Sequence, residues 1–133
     1  MKQREMGLWG EQFAACWLKD HGYDILARNW RKRHGEIDII ACKEDIIAFV
    51  EVKLRNRNGW QTPAGAVRRA QMRRIVETSV LFLQEHGLYN NGVVQPRFDI
   101  FEITTATEAG SLEIVDFYHI EHAYDLEGLG VFL

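Results

Sequence analysis

Gly35-Glu36-Ile37-Asp38-Ile39-Ile40-Ala41-Cys42, then Lys43-Glu44-Asp45, then Ile46-Ile47-Ala48-Phe49-Val50-Glu51-Val52-Lys53-Leu54-Arg55 is the stretch on which the fold turns. Both arms are rich in β-branched and aromatic residues, and the break between them is short and charged, which predicts a β-hairpin. Side chains along a strand alternate between faces. Glu36 and Asp38 are therefore expected on one face of the first arm, and Glu51 and Lys53 on one face of the second. Pairing of the arms then gathers three carboxylates and an ammonium.

The centre of an apolar strand is a costly place for charge. Acids set among Ile37, Ile39, Val50 and Val52 must face water, pair with a cation or bind a metal, because an unpartnered buried carboxylate costs several kcal/mol. The plain alternative is a half-exposed sheet face on which Glu51 and Lys53 are solvated. Asp38 argues against it, since it lies on its own strand, behind Gly35 and Glu36, at hairpin distance from Glu51.

On the N-terminal side, Met6, Trp9, Phe13, Ala14, Trp17 and Leu18 recur at helical spacing and predict a helix over residues 5–20, stopped by His21-Gly22. Glu11 stands at the edge of that apolar stripe, where it reads either as a surface glutamate or as an acid reaching back to the sheet. Residues 23–31 alternate as a strand, and Arg31-Lys32-Arg33-His34 turns into the hairpin. On the C-terminal side, a polar stretch carrying Trp60 leads to Thr62-Pro63, an N-cap followed by proline at the first helical position. A second helix follows over 67–85, with Val67, Ala70, Ile75, Val76, Leu81 and Phe82 expected toward the core. Strands at 93–104 and 111–118 come next, then a tail with a short helix. Arg97 and Asp99 share a strand face and form a ready ion pair, whereas His119 and His122 read as structural.

The element order is helix, three strands, helix, two strands. The helical connection between the strands at 46–54 and 93–104 is long enough for a parallel crossover. The expected fold is a three-layer α/β domain with a central mixed five-stranded sheet flanked by helices.

At 133 residues, with 47% hydrophobic and 26% charged residues, the chain suits one soluble domain spanning residues 1–133. No run approaches a membrane span and the N-terminus lacks a signal-peptide core, so the cytoplasm is the expected location and no membrane partner is expected. Cys16 and Cys42 lie in no ligand-like spacing and are expected to be reduced and largely buried. The net charge of -3 hides a segregation along the chain. Between residues 52 and 76 stand Lys53, Arg55, Arg57, Arg68, Arg69, Arg73 and Arg74 with no acid, whereas Arg97 is the only lysine or arginine beyond residue 76. So basic a segment beside acids can follow phosphates, or it can be an ordinary solvated helix face and loop.

Glu11, Asp38, Glu51 and Lys53 together resemble the signature of the PD-(D/E)xK nuclease superfamily, with one acid at a strand start and acid-x-Lys on the next strand. More closely, the chain resembles the YraN-type family of small bacterial proteins regarded as endonucleases. The matching pieces are Gly10-Glu11 with Ala14-Ala15, Arg28-Asn29-Trp30, Gly35-Glu36-Ile37-Asp38, Phe49-Val50-Glu51-Val52-Lys53-Leu54-Arg55, Val67 and Arg97-Phe98-Asp99. They span most of the chain. The superfamily's proline before its aspartate is Ile37 here, and the Lys-Gln pair expected early in the second helix reads Gln71-Met72.

The resemblance implies a restriction-endonuclease-like fold and a metal-dependent endonuclease acting on DNA, branched or structured DNA in particular. It implies that Asp38, Glu51 and the carbonyl of Val52 hold Mg²⁺ or Mn²⁺, with Glu11 completing the shell and Glu36 as an outer candidate. Lys53 would orient the attacking water or stabilise charge in the transition state. Arg31, Arg33, Arg55, Arg57, Arg68, Arg69 and Arg73 would hold flanking phosphates. The alternative is a catalytically silent nuclease-fold module that binds nucleic acid as an adaptor in DNA repair or uptake. Resolvase-like relatives act as dimers, which keeps a homodimer in view.

Overall fold

The computed structural model describes residues 3–57 and 65–124. Helix α1 (Gln3–Asp20) leads into three consecutive antiparallel strands, β1 (Asp24–Lys32), β2 (Gly35–Lys43) and β3 (Ile46–Asn56). Helix α2 (Gly65–Glu85) crosses over to β4 (Gln95–Glu108), which pairs parallel to β3, and β5 (Ser111–Ile120) closes the sheet antiparallel to β4. The sheet is mixed and five-stranded, in the order β1-β2-β3-β4-β5. This is the three-layer, restriction-endonuclease-like arrangement expected from the sequence.

Two apolar clusters hold the layers together. On one face Ala14, Ala15 and Leu18 of α1 pack on Ile39, Ala41, Ala48, Val50, Phe101 and Ile103. On the other, Ile75, Val76, Phe82 and Leu83 of α2 pack on Ile37, Ile40, Ile47, Phe49 and Phe98. Both helices end as their His-Gly signals predict. Gly22 (φ 90°) and Gly87 (φ 66°) adopt the left-handed conformation, and the N–H groups of Tyr23 and Leu88 donate to the carbonyls of Leu18 and Leu83. The turn between β4 and β5 uses Ala109 (φ 51°) and Gly110 (φ 80°), two positive values that suit the right-handed twist of a tight hairpin.

Some expectations need correcting. The buried stripe of α2 is Ile75, Val76, Thr78, Ser79, Phe82 and Leu83, whereas Ala70 and Leu81 are exposed. The reason is phase: a spacing of 75, 76, 78, 79, 82 and 83 keeps one face at 3.6 residues per turn, and 70 and 81 fall off it. Both cysteines are free, as expected, but Cys16 is exposed on α1. β5 runs through His119 to Ile120, where a helical tail was expected to begin. Trp60, Thr62-Pro63, the side chains of Val67 and Arg68, and the chain from 125 onward lie outside the described residues. No described helix is long and apolar enough to cross a membrane.

Two glycines beside the acids permit close approach. A Cβ on Gly10 would collide with the Leu54 side chain, so this glycine lets α1 lie against β3 with Glu11 next in line. A Cβ on Gly35 would fall 2.6 Å from Thr78 Oγ1 and 3.3 Å from the Arg74 carbonyl oxygen. The Thr78 hydroxyl is itself fixed by donating to that carbonyl at 2.7 Å. Gly35→Ala is therefore expected to destabilise the fold by about 1–3 kcal/mol in urea unfolding. Gly7→Ala, within α1 and with nothing within 4 Å of the added carbon, is expected to stabilise it by about 0.5–1 kcal/mol.

Candidate functional site

The β2–β3 ladder runs from Lys43↔Ile46 to Ile39↔Val50 and there the register stops. Past that point the Asp38 side chain takes the place of a ladder bond: the Val52 N–H donates to Asp38 Oδ2 at 2.8 Å. The N–H and C=O of one strand residue point toward the same neighbour, so the Val52 carbonyl is turned to this fork as well. Strand alternation breaks here too. Ile37 packs in the α2-side cluster and Ile39 in the α1-side cluster, so the regular alternation expected to place Glu36 and Asp38 on one face is not kept. Across on β1, Asn29 falls between the pairs Arg28↔Ile39 and Trp30↔Ile37 and has φ 51°, a conformation asparagine tolerates better than most residues.

Glu36, Asp38 and Glu51 line one cavity of about 40 Å³, together with Ile37, Val50, Gln71 and Ile75. That volume suits a bound ion or a water or two. Glu51 lies two residues beyond Phe49, whose ring packs on the α2 side, and is only 7% exposed. Burial pushes the Asp38 carboxyl up to about 7; the Val52 hydrogen bond opposes this, and the negative charges of Glu11, Glu51 and Glu36 add to it. The Glu11 carboxyl is raised as well, mainly by burial, against a hydrogen bond from Asn29 and the nearby charge of Arg28. Glu11 Oε1 is buried without a hydrogen-bond partner.

Four acids thus surround one fork in the sheet. Among the described residues, no three His, Cys, Asp or Glu side chains form a cation site by themselves. The donor set on offer is Asp38, Glu51 and the Val52 carbonyl, with Glu11 and Glu36 around them. All are hard oxygen donors. An orphaned carboxylate oxygen and an aspartate whose pKa is raised by burial, and further by the surrounding acids, are what a divalent cation would satisfy, so these residues fit Mg²⁺ or Mn²⁺.

The expected cations lie around the same end of the sheet. Lys53 is half-buried, two residues along the strand from Glu51, and Arg55 follows with an ion pair to Glu102 at 3.3 Å. Arg57 approaches Glu108 at 3.9 Å, Arg73 pairs with Glu77 at 3.1 Å and Arg31 with Glu36 at 2.9 Å. Arg33, Arg69 and Arg74 are exposed. Asp99, by contrast, belongs to a separate, internally satisfied network. Its carboxylate accepts from Arg97 Nε at 2.9 Å and Nη2 at 2.8 Å, from the His122 N–H at 3.1 Å, and lies 2.8 Å from His119 Nε2. Burial alone would raise its pKa, but the bonds from His119, Arg97 and His122 outweigh burial and hold it below the usual carboxylate range.

Gln71 and Asn29 escaped the sequence reading as site residues. Gln71 of α2, an exposed residue, lines the acid cavity, and Asn29 hydrogen-bonds to Glu11. An asparagine between Arg28 and Trp30, in a run otherwise suited to a strand, was the available signal for Asn29, because it favours left-handed backbone. Gln71 had none beyond its helical phase, one turn before Ile75.

Residues 10–103 match the family described as Uncharacterised protein family UPF0102. A UPF0102 protein of Treponema pallidum (strain Nichols) is 39% identical over 120 residues, covering 90% of this chain and 92% of the relative. Relatives in Clostridium perfringens (strain 13 / Type A), 36% identical over 111 residues, and Myxococcus xanthus (strain DK1622), 32% over 124 residues, carry the same family name. They cover 84% and 93% of this chain, and 88% and 92% of their own lengths.

The raised pKa of Asp38 has a definite stability consequence. In the unfolded chain an aspartate releases its proton near pH 4, whereas in the folded chain Asp38 keeps it to about 7. Between those values the folded state binds more protons, so stability falls as pH rises. Asp38→Asn, which can still accept the Val52 N–H, is expected to match wild type near pH 4. At pH 8, in chelator, it should be more stable by about 1–4 kcal/mol, measured as urea unfolding across the pH range.

Proposed function

The chain belongs to the UPF0102 family, the YraN-like group its sequence resembles, and we propose that it is a metal-dependent endonuclease of the PD-(D/E)xK type acting on branched or structured DNA. The observation that carries this reading is the fork itself: Asp38 and Glu51, from two strands, line one ion-sized cavity where the β2–β3 ladder ends. The negative charges of Glu11, Glu51 and Glu36 all act on Asp38 there, and the donors gathered at the fork are hard oxygens.

Asp38, Glu51 and the Val52 carbonyl would hold the ion, with Glu11 as a further oxygen donor. When bound, Mg²⁺ or Mn²⁺ supplies Lewis-acid polarisation of a phosphate and lowers the pKa of water. Lys53 offers a positive charge from the same strand as Glu51, suited to orienting a nucleophilic water or to countering charge that builds on the phosphate oxygens. The exposed Arg33 between β1 and β2 and Arg69, Arg73 and Arg74 of α2 would hold flanking phosphates. Backbone contacts of that kind select for the shape of DNA more than for its sequence. A second reading is a nuclease-fold module that binds nucleic acid without turnover, for which the exposed arginines alone would serve.

Labelled four-way, flapped and linear duplex DNAs incubated with Mg²⁺ or Mn²⁺ separate the two. The nuclease reading expects divalent-dependent cleavage that falls at least a hundredfold in Asp38→Asn and in Lys53→Ala, with both variants folded by circular dichroism. Salt-sensitive binding of branched DNA with no cleavage under either ion would establish the binding module instead.

A further inference from the structure

Beside the acid cavity, on the α1 side of the sheet, runs an open groove of about 620 Å³ lined by Arg4, Gly7, Leu8, Glu11, Asn29, Arg31 and Glu36. Glu36 lines both spaces, so the groove leads into the acids. We propose that this groove holds an unpaired strand, a nucleotide or two of single-stranded DNA, entering the site from the side opposite the arginines of α2. The identification of the ligand as nucleic acid rests on the nuclease-fold reading; the groove's own chemistry selects the single strand.

Its size is that of a site for a small organic ligand, enough for one or two nucleotides and too little for a duplex. Leu8 is 46% exposed on the first turns of α1, an apolar shelf of the kind on which a base packs. Gly7 beside it has nothing within 4 Å of where a side chain would begin, so the helix surface there is flat and open. Arg4 and Arg31 stand in the lining with exposed side chains suited to phosphates. Arg31 is paired with Glu36 at 2.9 Å but is 75% exposed, and a surface pair of that kind is weak enough for a phosphate to replace the carboxylate. The acids Glu11 and Glu36 would repel a phosphate in their own part of the groove, which leaves the strand's phosphates to the arginines. The amide of Asn29 offers a donor and an acceptor to a base edge.

On the far side of the cavity, α2 contributes Gln71 and Ile75 to the wall and exposes Arg69, Arg73 and Arg74. That convex, basic helix face suits the phosphates of a duplex. The acids therefore stand between a surface fit for paired DNA and a groove fit for unpaired DNA, which places the scissile bond at the boundary between them.

The test uses a duplex with one unpaired oligothymidine arm and the same duplex with blunt ends, both fluorescently labelled, in EDTA so that cleavage plays no part. Leu8→Asp and Arg4→Glu, both on the exposed face of α1, are expected to weaken binding of the armed DNA roughly tenfold, the loss of about one stacked base. Binding of the blunt duplex should shift less than about twofold. A 4-thiothymidine in the arm should photo-cross-link to the peptide containing Gly7 and Leu8. Equal weakening on both DNAs, no weakening on either, or a cross-link elsewhere overturns the proposal. Groove-dependent binding of the arm without any cleavage in Mg²⁺ would leave the groove assignment standing and remove the nuclease reading. Cleavage by a protein whose groove variants bind both DNAs as wild type does would do the reverse, and failure of wild type to bind the armed DNA better than the blunt duplex overturns the groove assignment.

Discussion

The hydrogen bond from the Val52 N–H to the Asp38 carboxylate is the constraint from which the site follows. In a continuous ladder that N–H would donate to a backbone carbonyl of β2, the two strands would stay in contact, and no space would open between them. With a side chain in the role of the backbone acceptor, the strands part after Ile39↔Val50, and the parting creates the cavity that Glu51 also lines. Asp38 gains one strong bond and loses solvent on most other sides. The net effect is a carboxyl near pH 7, where neither protonation state is dominant and a cation can tip the balance.

Asp38 and Asp99 make a controlled comparison within one sheet. Both are aspartates among apolar strand residues. Asp99 is wholly buried, yet Arg97, His119 and the His122 N–H hold it ionised, and the Tyr23 hydroxyl caps the same arginine at 2.6 Å. That network also ties the chain after β5 back to β4, with the Ala123 N–H donating to the Phe98 carbonyl at 2.8 Å. Asp38 has one backbone donor and three acidic neighbours, and its pKa moves the other way. The two environments shift a carboxyl in opposite directions, and the neighbours of each account for the sign.

Much of this arrangement was legible in the sequence, for identifiable reasons. The hairpin around Glu44-Asp45 showed because two β-branched runs flanked a short charged break, and the crossover showed because a helix-length segment separated two strand-like ones. Gly10-Glu11 and Gly35-Glu36 put each acid next to a residue that permits close packing, and the helix and strand do approach there. What stayed hidden depends on contacts distant in sequence. Strand periodicity assumes an unbroken pleat, and the switch in facing between Ile37 and Ile39 arises from how β1, β2 and β3 meet around Asp38. The core face of α2 was misphased at Ala70 and Leu81 because small and apolar residues occur all round that helix, and packing on the sheet decides which stripe is buried. Gln71 offered no pattern at all.

The distribution of charge bears on the proposed nucleic-acid ligand, because an acidic chain needs exchangeable cations at its surface to bind a polyanion. Most of the arginines at the site end are not idle: Arg31, Arg55, Arg57 and Arg73 each approach a glutamate, with side chains 75%, 42%, 52% and 58% exposed. Such pairs are worth at most about 1 kcal/mol in water, so they keep the surface soluble and nearly neutral at little cost to exchange. A phosphate backbone presents its charges in a row and releases condensed counterions when it is bound, a gain no single glutamate can match. The same glutamates, displaced, are left to water, where a carboxylate is stable. Glu51 is buried and Asp38 half-buried at the fork, so water reaches them less freely. The exposed pairs are therefore cheap to exchange for another anion, whereas burial holds the acids of the fork in place, and that difference in burial separates the two sets.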